Sequence, residues 1–316
     1  MRRGAVPIIL IIIGIIAAIG AALGLSNTNN EPQPSPLTAF LPTPTPTPTP
    51  TLTSTPTPTP TPTIKPSPSS SPTPTVKPVS GPPGTGLSTI TVGTEKGNFR
   101  ATVLSVDLGA SRMVTDTGND GDCGSGCTTL TLAEYVSRNG GFAGVNGTYF
   151  CPASYPDCSG KTDSYDFPVY NTRLGHWING GMLGWGSRAI LYTDGSGAHY
   201  QQNSSGFGGG LNAGIINYPG LVDGGSVQID DNQSGLSDKQ RSVGTKVGIG
   251  TRNPNNVMVV VAYGLNMQQF AYVFKALGAT GALNLDDGGS TALYYQGRYV
   301  AGPGRNLPNA VVFAPR

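Results

Sequence analysis

Charged residues are scarce in this sequence, and no cluster of basic residues occurs after residue 86. Lys, Arg, Asp and Glu together make up 11% of the 316 residues, and the formal net charge is +2. Proteins that bind nucleic acids present a patch of Lys and Arg to the phosphate backbone. The sequence therefore gives no electrostatic support for a nucleic-acid partner.

Histidine is also rare. The two histidines, His176 and His199, lie far along the chain from any serine or cysteine motif. A hydrolase triad needs a histidine that activates a Ser or Cys nucleophile, so the sequence does not support one. We expect no cofactor, although the sequence leaves open whether a divalent metal ion is required.

The chain contains only four cysteines, all between residues 123 and 158. In an exported protein an even number of cysteines indicates disulfides. Their short separations favour Cys123 with Cys127 and Cys151 with Cys158, although three connectivities are possible. A zinc site is the alternative, but the spacings are irregular and no histidine lies close by.

An uncharged apolar stretch runs from about residue 5 to residue 25, after Arg2 and Arg3. Roughly 20 such residues span a bilayer as a helix, so residues 1–25 are predicted to form a transmembrane signal anchor. The positive-inside rule keeps the N-terminus cytoplasmic. The prediction is a single-pass protein of the cell membrane with its C-terminal domain outside the cytoplasm. A cleaved signal peptide is the alternative.

Residues 26–86 consist largely of Pro, Thr and Ser. Such a tract has too few apolar side chains to form a core and is predicted to be a disordered linker. We interpret it as a spacer that carries the C-terminal domain across a cell-wall layer. The density of Thr and Ser also leaves O-linked sugars open.

Residues 87–316 are predicted to form one α+β domain, a β-rich mixed sheet with a few helices. Short β-branched and aromatic runs alternate there with Gly, Asn and Asp corners. A capping box at Thr131 and Glu134 predicts a helix to Arg138, and an apolar stripe predicts another over 267–277. The predicted strands cover 99–106, 143–150, 189–192, 246–249, 257–262, 292–295 and 310–313.

Two adjacent carboxylates, Asp286 and Asp287, follow the apolar run ALNL. Strand 257–262, helix 267–277 and this run resemble a β-α-β unit, which would place Asp286 where α/β sheets collect ligands. Asp-Gly is also a strong hairpin signal. Asp287-Gly288 alone is sufficient for a turn, so a turn does not account for Asp286. We therefore take Asp286 as the candidate reactive residue. The similar LVDGGS at 221–226 is interpreted as a second hairpin corner, with an internal repeat as the alternative.

Two motifs resemble those of the phosphodiester glycosidase family, over roughly residues 89–313. NGTYF at 146–150 is similar to the family's NGGFF, and NLDDGGST at 284–291 to its NLDGGGS. Three positions differ from the family pattern. Within these two motifs, Asp287 and Thr148 each replace a Gly. Outside them, Lys246 stands where an Arg commonly opens the family's R-x-x-x-G element.

The resemblance implies cleavage of a sugar phosphodiester at the anomeric carbon. Asp286 is the hypothesised nucleophile or base, and Asn146 would orient the sugar, although Asn146 also begins an N-x-T glycosylation sequon. A departing phosphate needs little protonation, so one carboxylate with cations or N–H groups would suffice. The candidate substrate-binding residues are Lys246, Arg241, Arg305, Asp287, Gly288, Gly289 and Ser290.

The predicted function is a membrane-anchored glycosidase that hydrolyses a sugar-1-phosphodiester bond in a cell-wall or exopolysaccharide glycan. Its expected partners are a glycan or sugar-phosphate substrate and, through residues 5–25, the membrane. A non-catalytic glycan-binding module of the same fold is the alternative, motivated by Asp287. A stalked protein-interaction domain is a third possibility.

Overall fold

The computed structural model describes residues 84–184, 186, 188–233 and 235–316. The predicted anchor, and the predicted linker as far as residue 83, lie outside these residues. Within the described part of the chain, no helix has the length and apolar character needed to cross a membrane.

The described domain contains seventeen strands and three α-helices. The strands are β1 Gly86–Thr94, β2 Gly97–Asp107, β3 Ser111–Thr117, β4 Ala143–Asn146, β5 Val169–Asn171, β6 His176–Ile178, β7 Ala189–Asp194, β8 Gly197–Gln201, β9 Ala213–Asn217, β10 Gly220–Asp223, β11 Ser226–Val227, β12 Gly244–Asn253, β13 Asn256–Leu265, β14 Gly281–Asn284, β15 Leu293–Tyr295, β16 Arg298–Ala301 and β17 Asn309–Pro315. The helices are α1 Leu132–Arg138, α2 Asp238–Arg241 and α3 Met267–Ala276.

These strands form three sheets. The first has the order β1-β2-β13-β12-β14-β10-β11, the second β16-β15-β4-β17-β3, and the third β6-β5-β9-β7-β8. Every described strand pair is antiparallel. The domain is β-rich with few helices, as predicted, but its sheets are antiparallel instead of mixed.

The central strands of the first sheet are buried on both faces, and β13 shows how the sequence produces this. Val257, Val259 and Val261 point into a core shared with the other two sheets. The intervening Met258 and Val260 point into a second core against α3. Since side chains alternate between faces along a strand, an unbroken apolar run is what a doubly covered strand requires.

Helix α3 lies directly over β12 because glycines open that face of the strand. A Cβ on Gly248 would lie 3.0 Å from ring atoms of both Phe270 and Phe274. Both rings are fully buried. The alternating glycines of Val247-Gly-Ile-Gly250 therefore form the seat for the helix.

Both predicted helices are confirmed. Thr131 and Glu134 form the expected capping box of α1, and α3 ends one residue earlier than predicted. The predicted β-α-β unit of neighbouring strands was wrong. β13 and β14 run parallel, but β12 lies between them and pairs antiparallel with each.

The four cysteines form two disulfides, Cys123–Cys127 and Cys151–Cys158. This is the pairing favoured by their spacing. The second disulfide closes a loop that begins soon after β4, and this loop reaches the candidate site described next.

Candidate functional site

Three asparagines mark the point where the three sheets meet. Asn146 ends β4, Asn217 ends β9 and Asn284 ends β14, and all three are fully buried. The Asn217 amide donates to the Asn284 carbonyl at 2.8 Å, and its oxygen accepts from the Tyr149 N–H at 3.3 Å. The Asn284 amide donates to the Tyr149 hydroxyl at 2.5 Å. These hydrogen bonds fix three strand ends around one spot.

Asn146 holds the loop that carries the acidic pair. Its Nδ2 donates to the backbone carbonyl of Asp286 at 2.7 Å, and its Oδ1 accepts from the N–H of Ala292 at 3.0 Å. The Asp286 N–H in turn donates to the Gly147 carbonyl at 2.9 Å. Both amide atoms of Asn146 are occupied, so the structure gives it a positioning role. Its predicted contact with the sugar stays a prediction, and a glycan on this buried nitrogen would not fit the folded domain.

The acidic pair does not lie in a hairpin, so that interpretation of Asp287-Gly288 was wrong. The chain leaves β14 of the first sheet and crosses to β15 of the second, through a 3-10 turn at Gly288–Ser290. The similar LVDGGS does form a hairpin, in which Asp223 pairs with Ser226. The same local sequence therefore has two structures, and only the crossing one reaches the site.

Asp286 and Asp287 both line a cavity of about 480 Å³. Tyr149, Gln240 and Lys246 form much of its inner wall, and the Cys151–Cys158 loop forms one side. The Gln240 amide donates to the Tyr149 hydroxyl at 3.3 Å. Burial raises the pKa of Tyr149 well above its usual range, so its hydroxyl stays protonated.

The environment raises the pKa of both carboxyl groups. Burial raises the pKa of Asp286 to about 7, the negative charge of Asp287 adds to this, and a hydrogen bond from Ser290 acts against it. Burial raises the pKa of Asp287 to about 6, against the opposing effect of Lys246. Two carboxyl groups poised near neutral pH in one cavity are suited to proton transfer or nucleophilic attack.

Asp287 is held by the neighbouring strand β12. One carboxylate oxygen accepts from the N–H of Val247 at 2.9 Å, and the other lies 3.6 Å from Lys246 Nζ. Lys246 is 3% exposed and also donates to the Lys239 carbonyl at 3.3 Å. The cation predicted to clamp phosphate therefore reaches the cavity, but it is paired with Asp287.

Tyr155 lies between two cations at the mouth of the cavity. Lys239 Nζ is 4.2 Å from its ring centroid, and the Arg305 guanidinium carbon is 5.1 Å away. Arg305 packs behind Gly289, where an added Cβ would collide with the guanidinium. Of the described residues, none accepts a hydrogen bond from the buried Arg305 Nη1. The mouth thus carries positive charge.

Arg241 was predicted to bind the substrate, but the structure does not bring it to the cavity. Its guanidinium donates to the carbonyls of Asp231, Gln233 and Leu236 at 2.8, 2.9 and 2.5 Å. Arg241 therefore braces the loop before α2. Lys239, two residues earlier, lines the cavity in its place.

Of the three turn residues predicted to offer N–H groups to an anion, two line the cavity and one does not. Gly288 and Gly289 line the cavity. The Ser290 N–H donates within the turn to the Asp287 carbonyl at 3.3 Å, so it is not directed at a ligand. Ser290 acts instead through its side chain, on the carboxyl group of Asp286.

Tyr149, Tyr155, Lys239 and Gln240 were not predicted from the sequence to be site residues. Neither were Asn217 and Asn284, for which a signal exists. The runs AGVN at 143–146, AGIIN at 213–217 and GALN at 281–284 each end an apolar strand with asparagine. No such sequence pattern identifies Lys239 as a site residue. In the described part of the chain, no group of three His, Cys, Asp or Glu side chains is placed to hold a metal ion.

The fold is shared with solved structures. A hypothetical protein from Synechocystis matches with a TM-score of 0.54 and 15% identity over 73% of this chain. The chain spans 62% of that protein's length. The zebrafish N-acetylglucosamine-1-phosphodiester alpha-N-acetylglucosaminidase catalytic domain, auto-inhibited by its pro-peptide, matches with a TM-score of 0.56 and 14% identity. That match covers 73% of this chain and 82% of the zebrafish chain.

The family comparison covers both predicted motifs. The family model described as phosphodiester glycosidase matches residues 139–314, which is more than half of the chain. No curated protein matches the sequence. The matched region contains β4, the disulfide loop at Cys151–Cys158, α2 and the acidic pair, so the whole cavity lies within it. The chain belongs to the phosphodiester glycosidase family.

Proposed function

We propose that this protein hydrolyses a sugar-1-phosphodiester bond in a cell-wall or exopolysaccharide glycan, as a membrane-anchored glycosidase outside the cytoplasm. The observation that carries the proposal is the cavity in which Asp286 and Asp287, with raised pKa values, lie beside cationic side chains. Membership of the phosphodiester glycosidase family supports the reaction class.

The chemistry of the leaving group explains why one reactive carboxylate is enough. A departing phosphate monoester is a weak base, so it needs stabilisation of its negative charge more than it needs a proton. Lys239 and Arg305 at the mouth are suited to that task. Lys246 contributes less free charge, because Asp287 lies 3.6 Å from its Nζ.

In the proposed reaction Asp286 acts on the anomeric carbon. As a base, its carboxylate takes a proton from the water that attacks this carbon. As a nucleophile, it forms a glycosyl ester that water then hydrolyses. In both cases the bond from the anomeric carbon to the phosphate oxygen breaks, and the electron pair leaves with the phosphate. Base catalysis inverts the anomeric configuration and nucleophilic catalysis retains it.

Two features support a location outside the cytoplasm. Disulfides persist in oxidising compartments, and the described domain contains two. The proposed anchor and Pro/Thr/Ser linker would place the cavity at a distance from the membrane, where wall or exopolysaccharide glycans are found.

The test uses the full chain and a panel of sugar-1-phosphodiesters that begins with N-acetylglucosamine, the sugar in the name of the zebrafish enzyme. Reactions run in ¹⁸O-labelled water, and ³¹P NMR follows the phosphate product. We expect a phosphate monoester without label and a labelled free sugar, because the carbon–oxygen bond breaks. Label in the phosphate would indicate a phosphodiesterase and contradict the proposal.

One observation favours the alternative of a non-catalytic glycan-binding module. Asp287 stands in place of a Gly of the family motif NLDGGGS that the sequence resembles, and it pairs with Lys246, a cation predicted to clamp the phosphate. Under this alternative no member of the panel turns over. Calorimetry would still detect glycan binding, and Asp286→Ala would leave that binding intact.

A further inference from the structure

A second cavity, of about 730 Å³, is lined by one cation, two aromatic rings and several amide side chains. Its lining includes Phe167, Arg188, Tyr218, Asn203 and Gln233. None of these residues took part in the proposed reaction. Their chemistry nevertheless matches a ligand with hydroxyl groups and a negative charge.

Arg188 is held in place without a described acidic partner. Its guanidinium carbon lies 5.4 Å from the Phe167 ring centroid and 5.6 Å from that of Tyr218. Across the described ranges, no carboxylate lies within ion-pair distance of Arg188. A guanidinium stacked on aromatic faces keeps its N–H groups available at the ring edges, and these groups match the oxygens of a phosphate.

The amides in this cavity have unused hydrogen-bonding capacity. Asn203 uses its Oδ1 to cap the turn at Ser204–Gly206, and within the described residues its Nδ2 makes no hydrogen bond. The exposed side chain of Gln233 likewise has no partner there. Amide groups of this kind donate to and accept from sugar hydroxyls, and the two aromatic rings offer apolar faces.

The two cavities share a wall. Tyr149 lines the first cavity and Phe167 lines the second, and the centroids of these two rings are 6.2 Å apart. The segment 228–242 contributes Gln228 and Gln233 to the second cavity and Lys239 to the first. A ligand that continues beyond the first cavity has the second as its neighbouring site.

We propose that the second cavity binds another phosphate-bearing sugar residue of the same glycan chain, with Arg188 on its phosphate. This inference rests on the proposed function for the choice of substrate class. It identifies the substrate as a polymer with repeated sugar phosphates, because a small sugar phosphodiester offers no second phosphate to Arg188.

The test measures binding instead of turnover, so that it is separate from the test of hydrolysis. The full chain carrying Asp286→Asn is titrated in a calorimeter with poly(N-acetylglucosamine 1-phosphate). Methyl N-acetylglucosamine 1-phosphodiester and the neutral chitohexaose serve as comparison ligands. In this background, Arg188→Gln is expected to raise the Kd for the polymer at least tenfold and to leave the Kd for the methyl phosphodiester unchanged.

Two further variants make the result specific. Gln233→Glu adds a negative charge to the second cavity at an exposed position and is expected to weaken polymer binding while Arg188 itself is retained. Arg100→Gln removes an exposed arginine of β2 outside both cavities and should change nothing. Equal polymer binding by Arg188→Gln and its background would overturn the inference. So would the absence of polymer binding, or equally tight binding of chitohexaose. Loss of hydrolysis alone would overturn only the proposed function.

Discussion

The side-chain amide of Asn146 donates a 2.7 Å hydrogen bond to the backbone carbonyl of Asp286. The same side chain accepts from Ala292 on the far side of the loop. The buried end of β4 therefore fixes the position of the acidic loop, although the two segments are 140 residues apart.

Asn146→Ala should destabilise the domain. The substitution leaves the Asp286 carbonyl and the Ala292 N–H without partners in a buried place, and we expect a loss of ~2–5 kcal/mol in the free energy of unfolding. Urea denaturation measures this loss. Asn98→Ala, at an exposed position of β2, should stay within about 0.5 kcal/mol of wild type. Equal stability of the two variants would show that Asn146 does not brace the loop.

Asp287→Asn should move the pH dependence of hydrolysis. The negative charge of Asp287 raises the pKa of Asp286, so its removal lowers that pKa. In wild type, kcat/KM should rise with pH through about 7 as Asp286 ionises. In the variant this rise should occur at lower pH. Asp223→Asn, in the similar LVDGGS hairpin, should not move it. If the rise in kcat/KM occurs at the same or a higher pH in Asp287→Asn, Asp286 is not the group whose ionisation controls hydrolysis.

The raised pKa of Asp286 also predicts how stability depends on pH. The folded carboxyl group holds its proton up to about pH 7, whereas the unfolded one loses it near 3.8. Between these values the folded state binds more protons, so this group's contribution to stability falls as pH rises. The free energy of unfolding of Asp286→Asn, relative to that of wild type, should therefore be higher at pH 8 than at pH 4. Urea titrations at both pH values test this, and an unchanged difference would contradict it.

The Cys151–Cys158 disulfide should matter for activity more than Cys123–Cys127 does. Cys151, Cys158 and Tyr155 line the cavity, whereas the other pair does not. Replacing Cys151 and Cys158 by Ser should lower kcat/KM roughly tenfold or more, since a displacement of about 1 Å near reacting groups costs up to ~100-fold. The matched double variant at Cys123 and Cys127 should keep its activity. Equal losses in both would indicate a general effect on folding.

Local sequence signals predicted the features that depend on neighbouring residues. The capping box at Thr131 specified α1, and the short cysteine separations favoured the observed disulfides. The acidic motif was also recognisable in the sequence, and both of its carboxyl groups line the cavity.

Features that depend on contacts between distant segments were not predictable in this way. LDDGGS and LVDGGS share their turn residues, yet only the second forms a hairpin, because β14 continues into a different sheet. Arg241 and Lys239 are two residues apart with similar charge. Which of them reaches the cavity depends on the backbone carbonyls that surround Arg241. The meeting of Asn146, Asn217 and Asn284 requires the positions of three sheets.

The role of Asp286 as the reactive group is tested most directly by the rate at which Asp286→Asn hydrolyses a sugar-1-phosphodiester that the wild-type chain turns over. ³¹P NMR follows release of the phosphate monoester, and calorimetry confirms that the variant still binds the substrate. We expect a loss of roughly 10²–10⁴-fold in kcat with substrate binding retained, the range for removal of a base, while Asp223→Asn keeps the wild-type rate. Hydrolysis by Asp286→Asn at the wild-type rate would contradict the assignment of Asp286 as the reactive group.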